Sequence, residues 1–484
     1  MIIALIGNDG SGKTTIAKEL LRILRALGFE VIYKHEYQYS VLKLFFSIIG
    51  TKKIEYERKK MIVENCKSWK YYLWPFLVWI DVSLSCICFK LFKKKSIVIM
   101  DRYLFDHFLS FKYLGYLTKF SEWLFLHSIK PDALVCVWVE PQIAFLRKKN
   151  THDYGLDFYV QQTSEYLTFS KRLGIKAINT NKSLKSTVDE IVKALPKSIQ
   201  TSIWKRGLQN KVLFSVAEKY ELSLPQKLNN NFLNYSIKLK KTLEFLDDIF
   251  KKNNIKHSIV KTMHQQLWIG HDVDILVSPN NHNRLIDIFK KIKITHVTFK
   301  RTNFDNGKTN IKLFDGLPID LHSYIGWGNV VFIPFEDILN KDRIMTKVGS
   351  LNFANEKINS IIFILTHIFE KGFITLNEYK FLKTYFDEAL IQTDFSDLEI
   401  LLRDYISWMK TAFAEKQIRF YPLFIPMHVI LKSYSKLLLY SKKESNEMVW
   451  RLRALIRDMS FMIFWRFRYY ITNRLPFEID MNVT

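Results

Sequence analysis

An apolar run, Ile2-Ile3-Ala4-Leu5-Ile6, passes directly into Gly7-Asn8-Asp9-Gly10-Ser11-Gly12-Lys13-Thr14, and an amphipathic stretch follows from Thr15 to Leu27. Strand, glycine loop and helix in that order constrain this chain more than any other segment, because the loop satisfies G-x-x-x-x-G-K-[ST] in the context that gives the pattern its meaning. Glycines let backbone N–H groups face phosphate oxygens, and the helix N-terminus adds positive potential. Lys13 reaches the terminal phosphates of a nucleotide and Thr14 offers a hydroxyl to Mg²⁺. Gly7, Asn8, Asp9, Gly10, Ser11, Gly12, Lys13, Thr14 and Thr15 are therefore the candidate nucleotide-binding residues, with ATP and Mg²⁺ as the expected cofactors.

Further along, Ile2 to Ile6, Val31 to Tyr33, Ile97 to Met100, Leu134 to Val139 and Ala177 to Ile178 read as strands separated by helical stretches. That alternation predicts an α/β fold with a parallel sheet and crossover helices over residues 1–198. The third strand ends in Asp101-Arg102-Tyr103, at the sheet edge where ligands bind in doubly wound folds. Asp101 there is suited to hold Mg²⁺ through water, and Arg102 to clamp a second phosphate group.

Together GNDGSGKTT, IVIMDRY and DFYVQQTSEYL resemble thymidylate kinases over roughly residues 1 to 195. The resemblance implies transfer of phosphate from ATP to dTMP or another nucleoside monophosphate. It implies that Asp9 contacts the acceptor nucleoside, that Arg102 binds the acceptor phosphate, and that Arg147, Lys148 and Lys149 begin a cationic lid. It also places Asn179 and Thr180 in the loop that closes around adenine. Dimers are usual in that family, which makes a homodimer the expected assembly. The acceptor side departs from the pattern: Tyr33-Lys34-His35-Glu36-Tyr37 stands where a Glu-Pro pair is usual, and Asp106, Leu109, Ser110 and Phe111 stand where small or hydroxyl residues are usual.

Beyond a polar segment from Lys197 to about Asn231, residues 232–393 combine a helical stretch with strand-like runs and predict an α+β domain. Asp272 and Asp274 lie two apart in His271-Asp272-Val273-Asp274-Ile275-Leu276-Val277, so a strand would put both on one face. Asp320, in Ile319-Asp320-Leu321-His322, is placed to join them from a neighbouring strand, and three such carboxylates suit two Mg²⁺ or Mn²⁺ ions. HDVDILV, the helix after it and IDLH resemble polymerase-β-type nucleotidyltransferases over about residues 235 to 390. Their glycine-containing turn is missing, since Val260-Lys261-Thr262-Met263 occupies its place. Either Lys261 and Thr262 replace that contact, or the domain keeps the fold without the chemistry.

Residues 394–484 read as helical, basic and aromatic. Such helices lie on anionic lipid, accept stacked bases, or simply pack on the preceding domain. A formal charge of +25, from 72 Lys+Arg against 47 Asp+Glu, favours anionic partners of any of these kinds. Hydrophobic residues at 48% exclude a disordered chain, and four cysteines without metal spacing argue against a secreted disulfide scaffold. The expectation is a cytoplasmic protein, peripheral at most to the inner face of a membrane, with the apolar stretch Tyr71 to Phe92 read as a buried helix. Three functions stay open: a nucleoside monophosphate kinase, a nucleotidyltransferase acting on a sugar, glycan, RNA or protein with the kinase as accessory, and a nucleotide-gated module that binds membrane or nucleic acid.

Overall fold

Strand β1 (Ile2–Gly7) is buried along its whole length, which is why its sequence is a continuous apolar run rather than an alternating one. The computed structural model describes residues 1–35, 69–92, 96–113, 117–149, 155–261, 272–292, 295–298, 308–327, 330–338, 344–348, 351–387, 391, 396–414, 422–440 and 445–472. The chain divides into two compact units, one of Met1–Arg206 with Val216–Ser223 and the other of Gly207–Ser215 with Leu224–Thr484.

In the first unit β1 is followed by α1 (Lys13–Ala26), β2 (Val31–His35), α2 (Trp69–Phe92), β3 (Ile97–Asp101), α3 (Leu104–Tyr113), α4 (Lys119–Leu126), β4 (Ala133–Trp138), α5 (Pro141–Lys148), α6 (Leu156–Arg172), β5 (Ala177–Asn179) and α7 (Leu184–Ala194). The five strands form one parallel sheet in the order β2-β3-β1-β4-β5. Helix α1 buries Ile16, Leu20, Ile23 and Leu24, the spacing of one helical face, and each such side chain contributes roughly 1.5–3 kcal/mol. Gly28, at φ 90°, ends it, with its N–H on Arg25 O and the next N–H on Leu24 O. On the other side of the sheet Phe105, Phe108, Phe125 and Phe169 pack as an aromatic core, with Phe105 and Phe169 ring centres 5.1 Å apart.

Helix α2 buries Val78, Asp81 and Cys86 but exposes Phe76, Leu84, Ile87 and Leu91, so only one side of it is core. No described helix is long and apolar enough to cross a membrane.

The second unit carries α8 (Gln226–Asn253), β6 (His257–Val260), β7 (Val273–Val277), α9 (Pro279–Lys291), β8 (Thr295–Thr298), β9 (Lys308–Leu313), β10 (Ile319–His322), β13 (Ile344–Val348) and β14 (Leu351–Ala354), with a hairpin of β11 (Tyr324–Trp327) and β12 (Val330–Pro334) inserted before β13. The seven-stranded sheet runs β13-β14-β6-β7-β10-β9-β8, with β7 parallel to β10 and antiparallel to β6. Helices α10 (Glu356–Thr366), α11 (Leu376–Tyr385), α12 (Ser396–Ala414), α13 (Met427–Tyr440) and α14 (Ser445–Thr472) complete it. Between α10 and α11 the fully buried carboxylate of Glu378 accepts from Lys211 Nζ at 2.8 Å, Lys371 Nζ at 3.2 Å and the Thr375 hydroxyl at 2.8 Å.

Candidate functional site

Register brings the first two motifs together. Leu5 of β1 pairs with Asp101 of β3 and Arg102 N–H donates to Leu5 O, so the glycine loop leaves the sheet two residues from the end of β3. Gly10 and Gly12 adopt φ 82° and 81°, which favours glycine, and a Cβ on Gly7 would lie 1.8 Å from Val137 O, which forbids anything larger there.

The loop is held from outside. The Asn8 amide donates to Val139 O and Thr163 Oγ1, both at 2.9 Å, while its oxygen accepts from Val139 N–H. Asp9 N–H donates to Gln162 Oε1 at 2.8 Å. Lys13, 6% exposed, folds back on the loop and donates to Gly7 O at 2.7 Å and Asn8 O at 2.9 Å. Burial, and then the Arg102 charge, lower its pKa.

Asp101 is fully buried. Its Oδ2 accepts from Thr14 Oγ1 at 2.6 Å and Tyr33 OH at 2.7 Å, with His35 Nε2 at 3.7 Å. Its Oδ1 and the Ser11 hydroxyl are buried with no hydrogen-bond partner among the described residues, one at the strand end and one inside the loop. A hydroxyl and a carboxylate in contact, with an unsatisfied oxygen beside them, are hard oxygen donors that fit Mg²⁺.

Arg102 takes φ 80°, an unusual backbone for a residue other than glycine, and its guanidinium pairs with Asp9 Oδ1 at 2.8 Å. It lines a small, open cleft together with Lys34, His35, Ser85, Tyr103 and His107. Lys34 Nζ donates to Ser85 Oγ at 2.8 Å. Arg147 Nη1 donates to Gly10 O at 3.0 Å, bringing the end of α5 over the loop, and Thr15 is exposed. Asn179 Nδ2 donates to Glu140 Oε1 at 3.3 Å, and Thr180 is tied through N–H and hydroxyl to Trp138 O. Residues 36, 37 and 150–154, which include part of the segment after β2 and the residues following Lys149, lie outside the described residues.

Sequence reasoning met Asp106 only as a departure from a familiar pattern. In the fold it is the joint of the site: Oδ1 accepts from Tyr166 OH at 2.6 Å and Gly7 N–H at 3.3 Å, and Oδ2 from Tyr103 N–H at 3.0 Å. One carboxyl thus links loop, strand end and α6. Burial pushes it up to about 6 in spite of those donors. Its position three residues into α3 was the available signal, since an acidic side chain there reaches back to the N-cap N–H.

In the second unit Asp274 of β7 and Asp320 of β10 are register partners on parallel strands. Oxygens of both, and a ring nitrogen of His322, lie within 4.8 Å of one another. Asp272 precedes the strand; desolvation, then the Asp274 and Asp320 charges, push it up to about 7. Basic groups are already present: Lys261 Nζ is 3.2 Å and His322 Nε2 2.9 Å from Asp274 Oδ1, while Lys308 Nζ is 2.6 Å from Asp320 Oδ2. Burial works to raise Asp274, but Lys261 and His322 outweigh it and hold the carboxyl well below its usual range. Lys261 adopts φ 57°, the backbone a glycine would take at that turn, and its N–H donates to Asn359 Oδ1 at 2.7 Å. His322 and Lys308 were not singled out from sequence; their proximity depends on strand order. Gly270, His271, Thr262 and Met263 lie outside the described residues.

No protein-family profile matches the sequence, and no curated protein matches it. Among solved structures the chain is similar to deoxyadenosine kinase from M. mycoides, one structure with the products dCMP and a flexible dCDP and another with dCTP. Identity is 16% in both, over 40% of this chain and 97% of the other, with TM-scores of 0.28 and 0.27. Superposition that low carries no weight; the fold is judged from the loop, the sheet order and the contacts above.

Proposed function

We propose that the first unit is an ATP-dependent phosphotransferase that phosphorylates a small anionic acceptor, a nucleoside monophosphate being the best candidate. The observation that carries this reading is the junction of Thr14 Oγ1 and Asp101 Oδ2 at 2.6 Å, beside the unpartnered Asp101 Oδ1 and next to the Arg102 cleft. Donor phosphates on one side and an acceptor on the other then share one sheet edge.

Thr14 and Asp101 would hold Mg²⁺, which when bound neutralises developing charge on the phosphates. Lys13 exchanges its loop carbonyls for phosphate oxygens, and the N–H groups of residues 10–15 cradle the rest. Arg102 leaves Asp9 to hold the acceptor phosphate, and Arg147 covers the loop from α5. Positioning and charge neutralisation suffice, with no covalent intermediate on the protein. Dimerisation and preference for dTMP belong to the same proposal as its finer parts, resting on motif resemblance alone, and a cytoplasmic location rests on the four cysteines without metal or disulfide spacing.

The test is a panel of nucleosides and nucleoside monophosphates offered with γ-labelled ATP, run beside Lys13→Ala. Label should move to monophosphates and fall at least a hundredfold in the variant; equal transfer by both proteins would sink the assignment.

A second reading concerns the other unit, where the pairing of Asp274 with Asp320 favours nucleotidyl transfer. Asp272, Asp274 and Asp320 are oxygen donors of the kind Mg²⁺ or Mn²⁺ takes, provided Lys261 and Lys308 swing onto triphosphate oxygens. Incubation with α-labelled NTPs and a cell extract should label an acceptor in the wild type and not in Asp274→Asn with Asp320→Asn; labelling of equal strength would discard it.

A further inference from the structure

Helix α14 is anchored through the face that carries Met462, Arg466 and Tyr469. Met462 and Tyr469 are buried, Met462 lies against Gly372, Tyr469 packs 5.2 Å from the Phe424 ring, and Arg466 Nη2 donates to Gly372 O at 3.1 Å. Away from that face Leu452, Ile456, Ile463 and Phe467 are 47%, 59%, 52% and 65% exposed. Their spacing, i, i+4, i+11 and i+15, makes a single stripe along the helix. Phe464 is exposed beside it, and Arg457 and Arg468 fall on the same flank as Phe464. The helix holds five arginines against Glu447 and Asp458.

We propose that this stripe seats the protein on an anionic lipid surface, with α14 lying in the plane of the headgroups. An exposed row of large apolar side chains marks a binding surface, and its charges select the occupant. A second copy would meet the same arginine flank with its own, whereas acidic headgroups meet it with opposite sign. Nucleic acid is the weaker fit, because three of the four stripe residues are aliphatic and offer no ring for stacking. Insertion is shallow: Leu452, Ile456, Ile463 and Phe467 enter the acyl boundary while the arginines stay with the phosphates. The proposal is independent of either enzymatic reading.

Sedimentation of the full-length protein with vesicles tests it, using phosphatidylcholine alone and phosphatidylcholine with about one-third phosphatidylglycerol. Binding should be confined to the anionic vesicles and weaken with salt. Arg457→Gln with Arg468→Gln should lower the partition coefficient on the order of twentyfold, and Ile456→Asp with Ile463→Asp more than ~tenfold, the latter without moving the thermal midpoint because Ile456 and Ile463 are exposed. Equal binding to both vesicle types, binding that survives both variants, binding to single-stranded RNA in place of vesicles, or a dimer that Ile456→Asp with Ile463→Asp dissolves would each overturn it.

Discussion

Replacing Lys13 by Met separates a phosphate ligand from a strut of the core. In the free protein the ammonium is almost fully enclosed and donates to Gly7 O and Asn8 O at 2.7 and 2.9 Å. Two hydrogen bonds from a charged donor contribute roughly 1.5–3 kcal/mol each, and removing an ammonium from water costs several kcal/mol, so the two nearly cancel. Met keeps the volume and drops the charge, and the unfolding free energy should change by about 1 kcal/mol or less, or some 2–4 °C at most for a unit of this size. With ATP present the outcomes diverge. At a hundredfold excess over Kd the wild type gains about 2.7 kcal/mol, roughly 5–11 °C in midpoint. The variant should gain less than half of that, and its phosphoryl transfer should fall about 10²–10³-fold, the usual loss when one donor to developing charge is removed. Thermal melts with and without Mg²⁺-ATP, alongside γ-label transfer, measure all three quantities. A variant that transfers label and responds to ATP like the wild type, or one that unfolds without any ligand, would refute the reasoning.

Three further outcomes are expected. Arg102→Gly relieves a left-handed backbone by about 1 kcal/mol and loses a partly exposed ion pair of similar size, so stability should hardly move, while the acceptor KM rises more than ~tenfold; an unchanged KM would remove Arg102 from the acceptor site. Asp106, raised by burial from the ordinary 3.8 to about 6, contributes stability that is full below about 4 and is lost as pH climbs through 6, because the unfolded carboxyl ionises first; the loss is at most roughly 3 kcal/mol, and urea midpoints across that range should flatten in Asp106→Asn. Glu378→Gln leaves the half-buried Lys211 and Lys371 without their counter-charge and should destabilise the second unit by roughly 3 kcal/mol in urea titration; a loss below about 1 kcal/mol would show that the lysines find other partners.

What could be read from sequence was what is local or repeats along one element. The glycine loop is contiguous, and its flanking strand and helix show themselves by burial and by period. Asp101 and Arg102 were legible because a strand end in a parallel sheet is a known position for ligand groups. Asp274 and Asp320 are 46 positions apart, and their pairing follows from two strand patterns and one assumption about order, which the register bears out. Lys308, which sits on Asp320, was not legible because it enters from β9; Lys261 stood out only as a replacement for the missing glycine turn, and its pairing with Asp274 depends on a left-handed backbone that no glycine marks. Asp106 escaped for a similar reason: its three donors come from positions 7, 103 and 166, and only the packed fold makes them neighbours.

The central claim is that the glycine loop and the Asp101-Arg102 corner serve one cleft. Binding of a bisubstrate analogue, adenosine joined through a phosphate chain to a second nucleoside, measures this directly. A single molecule per protein should displace labelled ATP and labelled monophosphate together, and Arg102→Gly should weaken it. An analogue that displaces ATP while leaving the monophosphate bound would contradict the claim.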